Sequence, residues 1–147
     1  MKLREELPEF YRDLQWINGK QTKEQLIGEL PLLVHFWSVS CSLCKGSMET
    51  INKWKGLYSG KFNIVSVHMP RKQEDINDVL IKTIIKQWKM SHSVCLDHNL
   101  NVTKAFQNRI VPSFYLFDKN GLLRHIQSGE NGMYMLEKRL THLMKEK

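Results

Sequence analysis

The sequence has only three cysteines, four prolines and eight glycines in 147 residues, and no apolar run of membrane-spanning length. So little proline and glycine, without a repeating period, excludes collagen-like and low-complexity chains. The longest apolar stretch, Leu30 to Trp37, is interrupted by His35 and falls far short of the roughly 20 residues that a spanning helix requires. The start, Met1-Lys2-Leu3-Arg4-Glu5-Glu6, charges up at once with no apolar run behind it. It therefore predicts neither a secretory signal nor a membrane partner. Three cysteines do not make a disulfide framework. Without an export signal they lead to the expectation of a cytoplasmic protein whose thiols do chemistry or bind metal.

What is present is ordinary globular material: 41% hydrophobic and 25% charged residues, with four tryptophans, four tyrosines and six phenylalanines. At this length a single domain, residues 1–147, buries roughly two thirds of its unfolded surface and needs no covalent staples. The net charge of +7 comes from 22 lysines and arginines that never run longer than two. Their densest stretches, Lys82–Lys89 and Lys138–Lys147, alternate with apolar residues as solvated helix faces do, so no nucleic-acid partner is expected.

The periodicities alternate between strand and helix. Trp16 and Ile17 precede an Asn18-Gly19 turn, and Thr22-Lys23-Glu24-Gln25 reads as a capped helix start ending near Gly28. Pro31 to Trp37 is apolar on both faces apart from His35, the pattern of a central strand covered on both sides. A helix follows from Ser42 to Tyr58, closed by Gly60, then a strand from Phe62 to His68 stopped by Pro70. Over residues 73–89, Ile76, Val79, Leu80, Thr83, Ile84 and Trp88 recur at spacings of three and four, predicting an amphipathic helix with these on its buried face. Val94 to Leu96 is a short strand, Leu100 to Phe106 a short helix. Ser113–Phe117 and Leu122–Ile126 flank Asp118-Lys119-Asn120-Gly121 as a hairpin, and a last helix carries Met133, Leu136, Leu140, Leu143 and Met144. This order predicts an α/β fold: a central mixed sheet, parallel in its first half with an antiparallel hairpin at one edge, and helices on both faces.

The chemistry concentrates at Cys41-Ser42-Leu43-Cys44, directly after the most buried strand and in the first turn of the following helix. There, unpaired backbone N–H groups and the positive end of the helix dipole stabilise a thiolate, lowering the pKa of Cys41. Cys44 lies about one turn further on, within reach of a disulfide formed on Cys41. Cys41 is thus the expected nucleophile and Cys44 the resolving thiol. A Cys-x-x-Cys also serves as half of a zinc site. Cys95-x-x-His98 supplies a second half, and Cys41, Cys44, Cys95 and His98 would form a Cys₃His set. Cys95 otherwise reads as a buried, inert thiol in a strand. Trp37 stands near the dithiol as a substrate contact or as core. His68, Met69 and Pro70 end a strand on the same edge, lining the site or only turning the chain.

The segment Phe36-Trp37-Ser38-Val39-Ser40-Cys41-Ser42-Leu43-Cys44-Lys45 resembles the active-site segment of the thioredoxin superfamily, and Val111-Pro112 before a strand resembles its cis-proline loop. The extra helix at residues 73–89 is similar to the insertion of the TlpA/ResA-like branch. The resemblance covers nearly the whole chain. It implies a thioredoxin-like fold and a thiol-disulfide oxidoreductase exchanging electrons with protein disulfides through a redox-active Cys41–Cys44 disulfide. It further implies a monomer with an electron donor of unspecified identity and no organic cofactor or metal. Pro112 would be cis beside Cys41, and the backbone of Val111 would pair with the bound substrate chain.

The sequence also departs from that family. Ser40 precedes the first cysteine where many thioredoxins have Trp, Ser42-Leu43 replaces Gly-Pro, and Glu49 stands where a proline usually kinks the helix. The usual buried Asp six residues before the first cysteine is His35, and the Glu that the ResA-like branch often carries three residues after the second is Ser47. The departures allow a binding module with a vestigial dithiol. They also allow His35 to act as the acid/base for Cys44, since imidazole exchanges protons near neutrality, or to be a core histidine with a satisfied hydrogen bond.

Overall fold

The computed structural model describes all 147 residues. Its strands are β1 (Gln15–Ile17), β2 (Leu32–Trp37), β3 (Asn63–His68), β4 (Val94–Leu96), β5 (Ser113–Phe117) and β6 (Leu123–Ser128). Its helices are α1 (Lys23–Leu26), α2 (Cys44–Leu57), α3 (Asp78–Gln87), α4 (Asn101–Phe106) and α5 (Met133–Lys145), with a 3₁₀ turn at Gln73–Asp75 before α3.

One six-stranded sheet runs in the order β1-β4-β3-β2-β5-β6. β2, β3 and β4 are parallel neighbours, whereas β1, β5 and β6 join antiparallel. Parallel neighbours need crossover connections, which α2 and α3 supply. All six residues of β2 are buried, as a strand covered on both faces must be. Thr22 and Gln25 form the capping box of α1, each side chain bonded to the other's backbone N–H. No helix is long and apolar enough to cross a membrane.

Two expectations are corrected. The helix after β2 begins at Cys44 rather than Ser42, with Leu43 as N-cap, so Cys41 stands two residues ahead of the cap instead of inside the first turn. The buried stripe of α3 is not the one the spacing suggested. Ile81 and Ile85 are fully or almost fully buried with Ile84 and Trp88 beside them, while Val79 is 76% exposed and Ile76 and Leu80 are also exposed. Two apolar stripes at spacings of three and four overlap in this segment. The Asn77 side chain caps the helix by accepting from the Leu80 N–H, and the stripe that meets the sheet is then set by how α3 docks.

Candidate functional site

β2 delivers the chain to one edge of the sheet at Trp37. Ser38 to Leu43 turn away from it, and α2 starts back along the sheet from Cys44. Cys41 and Cys44 are joined by a disulfide. The turn is closed by Cys41 N–H donating to Ser38 C=O (3.0 Å) and Cys44 N–H donating to Cys41 C=O (3.3 Å). No side chain caps α2, so its positive end faces the cysteine pair without a competing acceptor at the N-cap. Cys41 is 4% exposed and Cys44 not at all, so the first cysteine is the one nearer to solvent.

The turn is held from the side by His68 and by two groups that the sequence did not single out, Asp75 and Arg71. Asp75, almost fully buried, accepts through Oδ2 from Ser38 Oγ (3.0 Å), Ser40 Oγ (2.8 Å) and the Arg71 backbone N–H (2.8 Å). Burial pushes the Asp75 carboxyl up, but the bonds from Arg71, Ser40 and Ser38 and the nearby His68 outweigh this and hold it below the usual range. The Arg71 guanidinium donates to Ser40 Oγ at 3.1 Å and also to the Ser40 carbonyl. His68, at the end of β3, accepts from the Val39 N–H through Nε2 at 3.3 Å, and burial lowers its pKa to about 4 despite Asp75. Every residue from Ser38 to Ser40 is therefore tied to the end of β3 or to the segment after it. Nothing local in Glu74-Asp75 distinguishes this carboxylate from a solvated one.

Trp37 is corrected as a substrate contact. It has no exposed surface and packs edge-on against His68, with Trp88, the C-cap of α3, at 5.6 Å between ring centres. Its place in β2 points it under α3, into the core. His68, Met69 and Pro70 are buried as well, and His68 supports the turn instead of facing solvent. His35 is fully buried, stacks on Phe114 and shares a 2.9 Å hydrogen bond between Nδ1 and Ser66 Oγ. Burial lowers its pKa to about 3, which keeps the ring neutral.

Ser113, the first residue of β5, pairs with Phe36 of β2, so Val111 and Pro112 just before it lie at the same sheet edge as the cysteines. The Val111–Pro112 peptide bond is cis. Neither backbone group of Val111 is hydrogen-bonded within the chain.

The four candidate zinc ligands are not brought together. Cys41 and Cys44 are spent on each other, Cys95 is fully buried in β4 opposite Val67 and Trp16, and His98 Nε2 bonds to Asp78 at 3.0 Å. No group of three or more His, Cys, Asp and Glu residues is disposed to hold a metal. Burial, followed by the charge of Asp97, pushes the Cys95 thiol well up, leaving it unreactive.

A dithiol that closes and opens at the head of a crossover helix is the chemistry of thioredoxin-like oxidoreductases, and the fold and the Cys41–Cys44 disulfide place the protein in that class. The chain is 44% identical over 146 residues to the thiol-disulfide oxidoreductase YkuV of Bacillus subtilis, covering 99% of both chains. It is 25% identical to the thiol-disulfide oxidoreductase ResA of Bacillus thuringiensis, over 97% of this chain and 79% of that one. A solved structure of a thioredoxin-like protein in the oxidized form superposes with a TM-score of 0.90 at 44% identity, covering 98% and 97% of the two chains. No family model matches. The protein belongs to the YkuV family of thiol-disulfide oxidoreductases, an enzyme family of the thioredoxin-like fold.

Proposed function

We propose that the enzyme exchanges its dithiol with disulfides of protein substrates. Cys41 is the nucleophile and Cys44 the resolving thiol, and no metal or organic cofactor takes part. The Cys41 thiolate attacks a substrate disulfide, forming a mixed disulfide and releasing one substrate thiolate. Cys44 then attacks Cys41 Sγ, the mixed disulfide breaks, and the second substrate sulfur departs with the electron pair. A dithiol donor reopens the Cys41–Cys44 bond by the same chemistry in reverse. Val111 and cis Pro112 complete the docking edge, with the free peptide groups of Val111 pairing with an extended substrate segment in the manner of an added strand. The protein works as a monomer in the reducing cytosol.

The observation that carries this assignment of roles is the difference between the two sulfurs: Cys41 retains the only exposure, and Cys44 lies behind it on α2 with none. An incoming disulfide meets Cys41 first. The test is reduction of insulin with dithiothreitol as donor. Cys41→Ser abolishes turnover, and Cys44→Ser accumulates a covalent complex with substrate that mass spectrometry resolves. Turnover persisting in Cys41→Ser defeats the assignment.

A further inference from the structure

The turn that presents Cys41 carries a fixed positive charge on its outer side. Arg71 is exposed, and its guanidinium donates through Nε to Ser40 Oγ at 3.1 Å and through Nη2 to the Ser40 carbonyl. That carbonyl shares a peptide unit with the Cys41 N–H, so the guanidinium stands one peptide unit from the outer cysteine. A guanidinium has five N–H donors in a planar fork, and the two bonds to Ser40 occupy its side-on edge and fix its orientation. The other three donors have no acceptor within the chain. They include the end-on pair on Nη1 and Nη2, the edge that matches the two oxygens of a carboxylate.

The charge is unpaired as well. No carboxylate oxygen of the chain lies within 4.0 Å of the guanidinium. Asp75 accepts from the Arg71 backbone N–H and from the hydroxyls of Ser38 and Ser40, not from the Arg71 side chain. Holding Ser40 calls for donors and not for a charge. A positive group with a free bidentate edge is what that structural role leaves over.

The surroundings agree in sign. In the sheet order β3-β2-β5, Arg71 follows β3 and Arg109 precedes β5, so their segments flank the end of β2 that leads to Cys41. The two segments touch, since Asn108 Nδ2 donates to Met69 Sδ at 3.3 Å and to the Ile110 carbonyl at 3.0 Å. Arg109 is exposed and runs directly into Ile110, Val111 and cis Pro112. Lys45 after Cys44 and Lys72 after Arg71 are exposed too. Two exposed carboxylates oppose these four cations, Glu74 and Asp78, and Asp78 is bonded to His98.

We propose that the end-on edge of Arg71 is a carboxylate subsite, which selects protein disulfides whose attacked cysteine has an aspartate or glutamate within about two residues along an extended segment. The inference deepens the proposed function and rests on Cys41 as the attacking thiol. The substrate carboxylate accepts two N–H bonds from Nη1 and Nη2, and the segment that pairs with Val111 then carries its sulfur in front of Cys41. Because Ser40 already holds the fork, binding costs Arg71 little further side-chain freedom. The subsite acts on recognition and on the rate of first attack, and the bonds made and broken in the exchange are unchanged.

The test uses short neutral peptides that differ only in an Asp, Asn or Lys beside a single cysteine, each as its mixed disulfide with 2-thiopyridine, an uncharged leaving group. The reduced wild-type enzyme attacks the peptide sulfur, and release of thiopyridone gives the second-order rate constant. Dividing by the rate for 2-mercaptoethanol cancels the intrinsic reactivity of each peptide. The Asp peptide reacts about 5-fold faster than the Asn peptide, the upper end for an exposed ion pair, and the Lys peptide reacts more slowly than either. The preference fades in about 1 M salt, where the screening length is about 3 Å.

Arg71→Gln keeps a donor for Ser40 and brings the Asp-to-Asn ratio to about one, while Arg71→Glu reverses the order in favour of the Lys peptide. Each ratio is taken within one variant, so a general slowing from a looser turn cancels. Arg109→Gln leaves most of the ratio in place. Equal loss in Arg109→Gln and Arg71→Gln would assign the preference to the overall charge and overturn the subsite. So would a wild-type ratio of one, or a ratio insensitive to salt, and neither measurement depends on a variant folding. In both cases thiopyridone release that is lost in Cys41→Ser leaves the exchange chemistry standing. Release indifferent to Cys41→Ser would remove the proposed function and the subsite together.

Discussion

Ser40, immediately before the outer cysteine, donates a 2.8 Å hydrogen bond to Asp75, a buried carboxylate 35 residues further along the chain. The same oxygen holds Ser38, and Arg71 grips Ser40 from the other side. The inserted segment between β3 and α3 thereby shapes the turn that presents Cys41. Thiol exchange requires the attacking sulfur in line with the scissile disulfide, so the rigidity of this turn bears directly on rate.

Asp75→Asn keeps the size of the side chain, removes its charge and brings an NH₂ group among hydroxyl and amide donors. Leaving buried donors without an acceptor costs about 1–3 kcal/mol, read as a lower urea midpoint. Insulin reduction slows by about tenfold as the turn loosens. The pH dependence has a definite sign. The Asp75 carboxyl is held below its ordinary value. Its contribution is therefore complete above about pH 4 and disappears only as the pH falls through the depressed folded value. Unchanged stability and turnover in Asp75→Asn would remove the clamp from the account.

Acid destabilises the enzyme earlier than its carboxylates alone would cause. His35 and His68 have folded pKa values lowered to about 3 and about 4 by burial, whereas unfolded histidine titrates near 6.5. Below about pH 6.5 the unfolded chain takes up protons that the folded chain refuses, so stability is full above this value and falls as the pH drops. At pH 5 each of the two removes about 2 kcal/mol. Urea unfolding at pH 7.5 and pH 5 checks this, and a double replacement of both histidines by asparagine abolishes the difference they cause.

Cys95 is silent in catalysis. In the folded protein it resists iodoacetamide, since its thiol is buried and pushed well up. Cys95→Ser introduces a hydroxyl into β4 and lowers stability by about 1–3 kcal/mol while insulin turnover per folded molecule is unchanged. Loss of turnover would reopen a chemical role for this sulfur.

Trp37→Phe separates packing from recognition. The side chain is wholly buried between His68 and Trp88, so the smaller ring costs about 1–3 kcal/mol of stability and leaves KM for insulin unaltered. A raised KM with unchanged stability would mark the residue as a substrate contact after all.

Much of this protein is written in local pattern. The two-sided apolar run of β2, the capping box at Thr22, the hairpin around Asp118-Lys119-Asn120-Gly121 and the Cys-x-x-Cys at the head of α2 can each be read within ten residues, because periodicity and cap chemistry act over that distance. Tertiary structure decided the rest: which of two apolar stripes of α3 meets the sheet, that Trp37 faces inward, that Asp75 reaches Ser40, and that His35 joins Ser66 and His92. Apolar spacing states that a side chain leaves water but not which neighbour it meets. A polar group inside the fold finds its partner only when strand register and helix docking bring distant segments together.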